Sequence, residues 1–236
     1  MKATWIGQGG LFFETAGGSR IMIDPYLSNR MARLRGAAWE RLVPADERYL
    51  KGQLDVLILT HIHDDHVDTE TLDRLIPVQK NPIAILAPQS VWAFVRERYT
   101  GAHNYILFDH ETEVTLKDAA FCSVYAAHSD EHAVGVVLTA DARTVYVTGD
   151  TLYSRRILRA IDRPVDYMFT VINGAGNNMN ASDAARLAKA IAPQHAIPIH
   201  WDMFRDFGSD PEEFLCYMQD SAVHAFLMEH FCPITL

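Results

Sequence analysis

Val56-Leu57-Ile58-Leu59-Thr60-His61-Ile62-His63-Asp64-Asp65-His66 is the stretch that decides the fold and the chemistry of this chain. Its first four residues form an apolar run that predicts a buried β-strand. Because successive strand residues point to opposite faces, His61 and His63 project to the same side. Asp65 and His66 follow in the next turn, and three imidazoles with a carboxylate suit a borderline divalent ion. The stretch therefore predicts a metal site at the end of a strand.

Composition indicates a globular chain and argues against some classes of partner. With 236 residues and 49% hydrophobic composition, the chain can bury a sizeable core, and we expect one domain over residues 1–236. A net charge of −9 argues against a nucleic-acid partner, which normally meets a basic face. No apolar run approaches the roughly 20 residues that span a bilayer, and the start lacks the apolar core of a signal peptide. Three cysteines at unrelated spacings suit a reducing compartment. We expect a cytoplasmic protein with a small-molecule substrate and no membrane partner.

The order of predicted elements runs twice through the same pattern. Strands at 2–6, 11–15 and 20–23 precede a strand at 56–59, a helix capped by Asp68, a strand at 83–87 and a helix at 89–98. Five strand-like runs between 105 and 148 then form a second antiparallel stretch, followed by helices and strands that alternate from 154 to 219. This duplication predicts an α+β fold in which two sheets pack together with helices outside.

Residues 28–48 interrupt the pattern and allow two interpretations. Met31, Leu34, Ala38 and Leu42 fall at near-helical spacing, with four arginines at other positions. The interpretation that we favour is a surface helix with a solvated basic face. The alternative is an insertion that recognises an anionic substrate group, since arginine suits phosphate and carboxylate.

Further potential ligands follow other apolar strands. His128, Asp150, His200 and Asp24 each come directly after such a run, as His61 does. Taken singly, each has an ordinary structural explanation, such as a Gly-Asp turn for Asp150 or a packed imidazole for His200. Because loops at strand ends of a rigid scaffold gather active-site residues, their shared placement favours metal ligation.

The series His61-x-His63-x-Asp65-His66, His128, Gly149-Asp150 and His200 resembles the metallo-β-lactamase superfamily. The resemblance covers nearly the whole chain and implies a four-layer αββα sandwich with a metal site at one edge of the two sheets. Several segments also look like the L-ascorbate-6-phosphate lactonase group. They are Trp5-Ile6-Gly7-Gln8-Gly9, Ile23-Asp24-Pro25-Tyr26-Leu27, 149–154, Asn173-Gly174, 178–181 and 198–204. The chain is shorter than the ascorbate-phosphate enzymes, so the resemblance extends to the group and not to that substrate.

The resemblance also implies how the metal would be held. His61, His63 and His128 would bind one ion, and Asp65, His66 and His200 would bind a second. Asp150 would bridge the two. Members of the lactonase group are associated with manganese as well as zinc, and ligands without sulfur suit either ion. The expected cofactors are thus two divalent ions, zinc or manganese. The group often assembles, so a homo-oligomer is an open alternative.

Four residues near the predicted ligands have two interpretations each. Asp24 either accepts a hydrogen bond from a metal-binding histidine or serves the turn before Pro25. Tyr153, Asn173 and Trp201 either contact the substrate or have structural roles.

The predicted activity is hydrolysis of a lactone or ester bond in a small polar substrate, such as a sugar acid with or without a phosphate. A metal-activated hydroxide would attack the carbonyl, and Asp65 would orient it and carry its proton to the leaving alkoxide. One alternative is a small-molecule phosphodiesterase that uses the same bimetal site. The other is a metal-binding protein without catalysis. Assays on lactones and phosphodiesters distinguish them.

Overall fold

Two seven-stranded sheets make up the centre of the molecule in a computed structural model that describes residues 1–236. The first sheet contains β1 (Lys2–Gly7), β2 (Gly10–Glu14), β3 (Arg20–Ile23), β4 (Val56–Ile58), β5 (Ala84–Ala87) and β6 (Asn104–Leu107). The second contains β7 (Glu113–Leu116), β8 (Ala119–Tyr125), β9 (Val134–Ala140), β10 (Arg143–Val147), β11 (Tyr167–Val171), β12 (His195–Ile199) and β13 (His224–Ala225). The last strand, β14 (Ile234–Thr235), returns to the first sheet beside β1.

Each sheet is half antiparallel and half parallel. In the first, β1, β2 and β3 form an antiparallel meander, and β3 to β6 are parallel. In the second, β7 to β10 are antiparallel and β10 to β13 are parallel. The predicted duplication of strands followed by alternating elements is confirmed. The parallel halves matter for function, because their strands end at the same edge of each sheet.

Seven α-helices surround the two sheets. They are α1 (Arg30–Arg35), α2 (Arg48–Lys51), α3 (Thr69–Leu75), α4 (Gln89–Arg98), α5 (Arg155–Ala160), α6 (Ala181–Ile191) and α7 (Pro211–Met218). The predicted cap at Asp68 forms, since its side chain accepts from Glu70 N at the start of α3, and Asn180 accepts in the same way from Asp183 N at the start of α6. None of the helices is long and apolar enough to cross a membrane.

Three apolar clusters hold four layers together. The central cluster joins the inner faces of both sheets, with Trp5 and Phe13 from one sheet against Phe169 from the other. A second cluster packs the outer face of the first sheet on α2, α3 and α4, and a third packs the outer face of the second sheet on α5, α6 and α7. Alternation along strands makes this possible, since Trp5 faces the central cluster and its neighbour Ile6 the outer one. The predicted α+β, four-layer αββα sandwich is confirmed.

Two local predictions were wrong. The run at 105–108 was assigned to the second antiparallel stretch, whereas β6 pairs in parallel with β5, because α4 forms the crossover between them. Residues 28–48 do not form one surface helix. Gly36, with φ +93°, ends α1 and separates it from a short 3-10 helix at Ala37–Trp39. The two-residue strands β13 and β14 were missed, since they lie at sheet edges and carry no periodic pattern.

Candidate metal centre

The predicted ligands meet at one edge of the two sheets. His61, His63, Asp65 and His66 lie on the loop after β4, and His128 lies three residues after β8. Asp150 follows β10 and His200 follows β12 directly. The structure thus brings together, from four strand ends, side chains that are up to 139 positions apart in the chain, from His61 to His200.

Left-handed backbone turns aim several of these side chains. Gln8, Asp24 and His200 have positive φ angles of 52°, 43° and 64°, each just after a strand, and Gly149 precedes Asp150 with φ 60°. Non-glycine residues rarely adopt this conformation, and its occurrence at strand ends around one site is typical of functional centres. The turns end the ladders and direct the side chains towards one another.

Three imidazoles form the first ligand group. His61 Nε2 and His128 Nε2 each lie 3.1 Å from His63 Nδ1. Neutral imidazoles carry one N–H each, so three converging nitrogens cannot be satisfied by sharing protons. A divalent cation at their centre resolves the conflict, because it accepts all three lone pairs. Burial lowers the pKa of His61 well below its usual value and also lowers that of His128, which favours the neutral form that binds metal.

The second group combines Asp65, His66 and His200. The two Nε2 atoms of His66 and His200 lie 3.3 Å apart, and Asp65 Oδ2 lies 3.8 and 3.6 Å from them. Burial opposes ionisation of Asp65, but the charges of the nearby His66 and His200 outweigh it and lower the Asp65 pKa. Each group can hold a metal ion, since its ligand atoms lie within 4.8 Å of one another.

Asp150 reaches both groups. Its Oδ1 lies 3.3 Å from Nε2 of His66 and 3.3 Å from Nε2 of His200, and its Oδ2 lies 4.0 Å from His61 Nε2. Burial would raise the pKa of Asp150, but the charges of His200 and His66 hold it well below its ordinary value. The carboxylate therefore stays ionised between the two groups.

In four of the five imidazoles, a hydrogen bond on the opposite side of the ring sets which nitrogen points inward, whereas His200 Nδ1 is buried without a partner. His61 Nδ1 lies 3.0 Å from Thr60 Oγ1, His66 Nδ1 lies 2.8 Å from Asp24 Oδ2, and His128 Nδ1 lies 3.2 Å from Asn177 O. His63 uses the other nitrogen, with Nε2 3.0 Å from Ser129 Oγ. Such partners fix the orientation of a ligand ring and its tautomer.

A cavity of about 450 Å³ opens onto the ligands. Among the site residues predicted from sequence, His63, Asp65, Asp150, His200 and Asn173 line it. The rest of the lining comes from Gln8, Met31, Arg35, Trp39, Ser129, Ala175, Gly176, Asn177, Asn178, Phe204 and Phe207.

Two predicted substrate contacts lie elsewhere. The Tyr153 ring packs in the outer cluster of the second sheet, with the Arg186 guanidinium 4.0 Å above it. Trp201 packs 5.6 Å from Trp5 and donates from Nε1 to Pro198 O. Neither side chain lines the cavity, and a contact of either with substrate stays a prediction.

Two cavity residues have polar roles that the sequence interpretation did not assign. Gln8 Nε2 donates to Asp65 Oδ2 at 2.7 Å, and Asn178 Nδ2 donates to Asp150 Oδ2 at 2.8 Å. Gln8 sits between two glycines at the end of β1, and Asn178 lies in an amide-rich loop. The sequence feature that could have indicated a role for Gln8 is its position as a polar residue between two glycines at the end of a strand.

Comparison with known proteins agrees with this geometry. A family described as the β-lactamase superfamily domain matches residues 19–201. The chain belongs to the metallo-β-lactamase superfamily. It is 27% identical over 224 residues to a protein of Pyrococcus furiosus named a UPF0173 metal-dependent hydrolase, a match covering 91% of this chain and 90% of the relative.

Solved structures share the fold. Igni18, a metallo hydrolase from Ignicoccus hospitalis, superposes with a TM-score of 0.77 at 20% identity, over 99% of this chain and 97% of its own. The metallo-β-lactamase fold protein YhfI from Bacillus subtilis gives 0.74 at 18% identity, over 99% and 98% of the two chains. The superfamily fold inferred from the ligand series is confirmed. Membership of the L-ascorbate-6-phosphate lactonase group stays a prediction.

Proposed function

We propose that this protein is a metal-dependent hydrolase that opens a lactone or ester bond in a small polar substrate. The observation that carries the proposal is the convergence of five imidazoles and two carboxylates beside a cavity of about 450 Å³. The UPF0173 name of its relatives, metal-dependent hydrolase, supports the same class of activity. The resemblance of several segments to the L-ascorbate-6-phosphate lactonase group supports the choice of a lactone.

Two divalent ions, zinc or manganese, are the proposed cofactors. His61, His63 and His128 would hold one ion, Asp65, His66 and His200 the other, and Asp150 would contact both. Nitrogen and oxygen donors without sulfur suit either metal. When bound, such ions polarise a carbonyl oxygen and bring the pKa of a water molecule to about 7.

Asp65 is the proposed catalytic residue. Its Oδ2 accepts the hydrogen bond from Gln8 and faces the two imidazoles, whereas its Oδ1 has no hydrogen-bond partner. We assign Oδ1 to take the proton of the attacking water and return it to the leaving alkoxide, as a positioned general acid–base group does. Gln8 keeps the carboxylate in one orientation for both transfers.

The amide-rich side of the cavity supports a hydroxylated substrate. Asn173 Oδ1 and Asn178 Oδ1 are buried without a hydrogen-bond partner, and both residues line the cavity. An unpaired buried acceptor costs about 1–3 kcal/mol, so a substrate hydroxyl that donates to either oxygen would bind favourably. Ser129 adds a hydroxyl to the same lining.

The test is a hydrolysis panel on protein reconstituted with Mn²⁺ or Zn²⁺ and verified for metal content. The panel contains γ-butyrolactone, glucono-δ-lactone, 4-nitrophenyl acetate and bis(4-nitrophenyl) phosphate. Opening of a lactone or ester that is lost in His61→Ala is the expected result. Turnover of the phosphodiester alone would identify a phosphodiesterase instead. No turnover of any substrate by metal-loaded protein would favour a metal-binding protein without catalysis.

A further inference from the structure

The segment from Arg30 to Trp39 forms one wall of the cavity. Met31, Arg35 and Trp39 line it from this segment, and the ligands His63 and His200 line the same cavity. The segment is held to the metal-binding loop, since the Arg30 guanidinium donates to Asp64 Oδ1 at 2.8 Å. The wall is therefore attached to the loop that carries the ligands.

Arg35 differs from the other arginines of this region in lacking a partner. Arg30 and Arg33 pair with carboxylates, and Arg41 donates to the carbonyl oxygens of Tyr26, Ser28 and Val43. The exposed Arg35 side chain takes part in no ion pair and no hydrogen bond. Its five N–H donors are available to a ligand.

Aromatic packing restrains this guanidinium. Arg35 Cζ lies 5.1 Å from the centre of the Trp39 ring, within the range of a cation–π contact. Trp39 in turn stacks on Phe207, with ring centres 3.8 Å apart and an interplanar angle of 25°. Because Arg35 also lines the cavity, the stack restrains its guanidinium beside the cavity before any ligand binds, so less conformational entropy is lost on binding.

Charge makes the position selective. Arg35 is the sole lysine or arginine among the residues that line the cavity, in a protein whose net charge is −9. A planar guanidinium forms paired, charge-assisted hydrogen bonds with carboxylate or phosphate oxygens. Apart from the proposed metal ions, Arg35 is therefore the point of the cavity wall that attracts an oxyanion.

We propose that Arg35, stacked on Trp39, binds an anionic group of the substrate, so that the preferred substrates are lactones or esters that carry a carboxylate or a phosphate. This inference rests on the proposed ester or lactone hydrolysis. It assigns to the exposed C-terminal end of α1 a role in specificity and none in the bond-breaking step.

Matched substrate pairs test the inference. The carboxylate pair is 5-oxotetrahydrofuran-2-carboxylate with γ-butyrolactone, and the phosphate pair is 6-phosphoglucono-δ-lactone with glucono-δ-lactone. We expect Arg35→Gln to lower kcat/KM for a charged lactone by about 10- to 100-fold, mainly through KM. The neutral lactones should change by less than about 2-fold. The pair that shows the loss identifies the anion. Arg33→Gln, from the same helix but with a partner on the surface, is the control and should leave both pairs unchanged.

A binding measurement separates this inference from the proposed function. Tryptophan fluorescence is titrated with succinate and with inorganic phosphate in the wild type, Arg35→Gln and Arg33→Gln. Saturable binding of either anion that is weakened by about 10-fold or more only in Arg35→Gln supports the anion site, even if no lactone is hydrolysed. Equal losses on charged and neutral lactones, or anion binding that is the same in all three proteins, would overturn it.

Discussion

Asp24 Oδ2 lies 2.8 Å from His66 Nδ1, and both residues are at most 1% exposed. The same carboxylate accepts hydrogen bonds from the backbone N–H and the hydroxyl of Thr60. A carboxylate that accepts a hydrogen bond from Nδ1–H keeps the proton on that nitrogen and leaves Nε2 as the lone-pair nitrogen of His66, directed at Asp150 and His200. The turn after β3 therefore determines the tautomer of His66, because it holds the Asp24 carboxylate against Nδ1.

Replacing Asp24 by asparagine should weaken metal binding with little loss of fold. Asparagine tolerates the φ of +43° at this position, and its Oδ1 can still accept from Thr60 N. Its amide then donates towards His66 Nδ1 and moves the imidazole proton to Nε2, on the side of the ligands. We expect affinity for the metal to fall about 10- to 100-fold, measured by competition with a chromogenic chelator.

Asp118→Asn is the control for this substitution. Asp118 also accepts hydrogen bonds from two hydroxyls, those of Thr15 and Ser19, but lies outside the ligand cluster. Unchanged metal affinity in Asp24→Asn would show that Asp24 serves only the turn before Pro25.

The ligand series could be predicted because each ligand follows an apolar strand, and strand ends meet at one edge of a layered sheet. That argument needs only local hydrophobicity and one motif, so it located His61, His128, Asp150 and His200 without knowledge of the loops. It could not locate Arg35, since the position of α1 depends on the break at Gly36 and on the Arg30–Asp64 pair. The sequence also could not predict that Tyr153 lies outside the cavity lining. Tyr153 comes three residues after the ligand Asp150, and at that separation a side chain can face either towards the site or away from it.

Strand pairing could be predicted only where a short turn joins consecutive strands. The meander from β1 to β3 is joined by short turns, and its antiparallel pairing follows from their length. For β6, the following strand β7 is nearer in sequence than β5, yet β6 pairs with β5. A short strand has the same alternating hydrophobic pattern in either sheet. The sequence therefore could not show that β6 joins the first sheet through the crossover helix α4.

Gly9→Ala should disturb the metal centre through one methyl group. A Cβ at Gly9 would lie 2.7 Å from His66 Cε1 and 3.6 Å from His200 Cδ2, so the buried His66 ring has to shift. Displacing a reacting or ligating group by about 1 Å costs about 100-fold in rate, and we expect a loss of that order in kcat. Gly52→Ala is the matched control, because its Cβ would meet first the end of the Arg20 side chain, at 3.2 Å. Equal rates in the two variants would show that His66 does not need its present position.

Two substitutions test the proposed proton transfer. Asp65→Asn removes the carboxylate, and Gln8→Asn removes the hydrogen bond that orients it. Loss of the carboxylate should lower kcat by about 10²- to 10⁴-fold. Gln8→Asn keeps a residue that tolerates φ +52°, but its side chain is one methylene too short to reach Asp65 Oδ2. It removes a hydrogen bond to a charged group, so we expect a smaller loss of about 10- to 100-fold. Metal content and melting temperature are measured for both variants, so that loss of metal or of fold is recognised. An unchanged rate in metal-loaded Asp65→Asn would remove Asp65 from the mechanism.

Removal of metal should destabilise the protein, because the buried imidazoles and carboxylates then lose the cation that they converge on. A ligand present at 100 times its Kd stabilises the folded state by about 2.7 kcal/mol, which corresponds to a melting temperature higher by roughly 5–10 °C in a chain of this size.

Elemental analysis should find about two divalent ions per chain, as in two-metal hydrolases, and about one in His61→Ala, where only one of the two groups is broken. His224→Ala, at the start of the edge strand β13 and outside the ligand groups, should keep both the metal content and the thermal shift. If dialysis against a chelator left the melting temperature of the wild type unchanged although the metal was gone, the ligand cluster would not be coupled to folding. A single ion per chain, unaffected by His61→Ala, would instead place the metal in the group of Asp65, His66 and His200 alone.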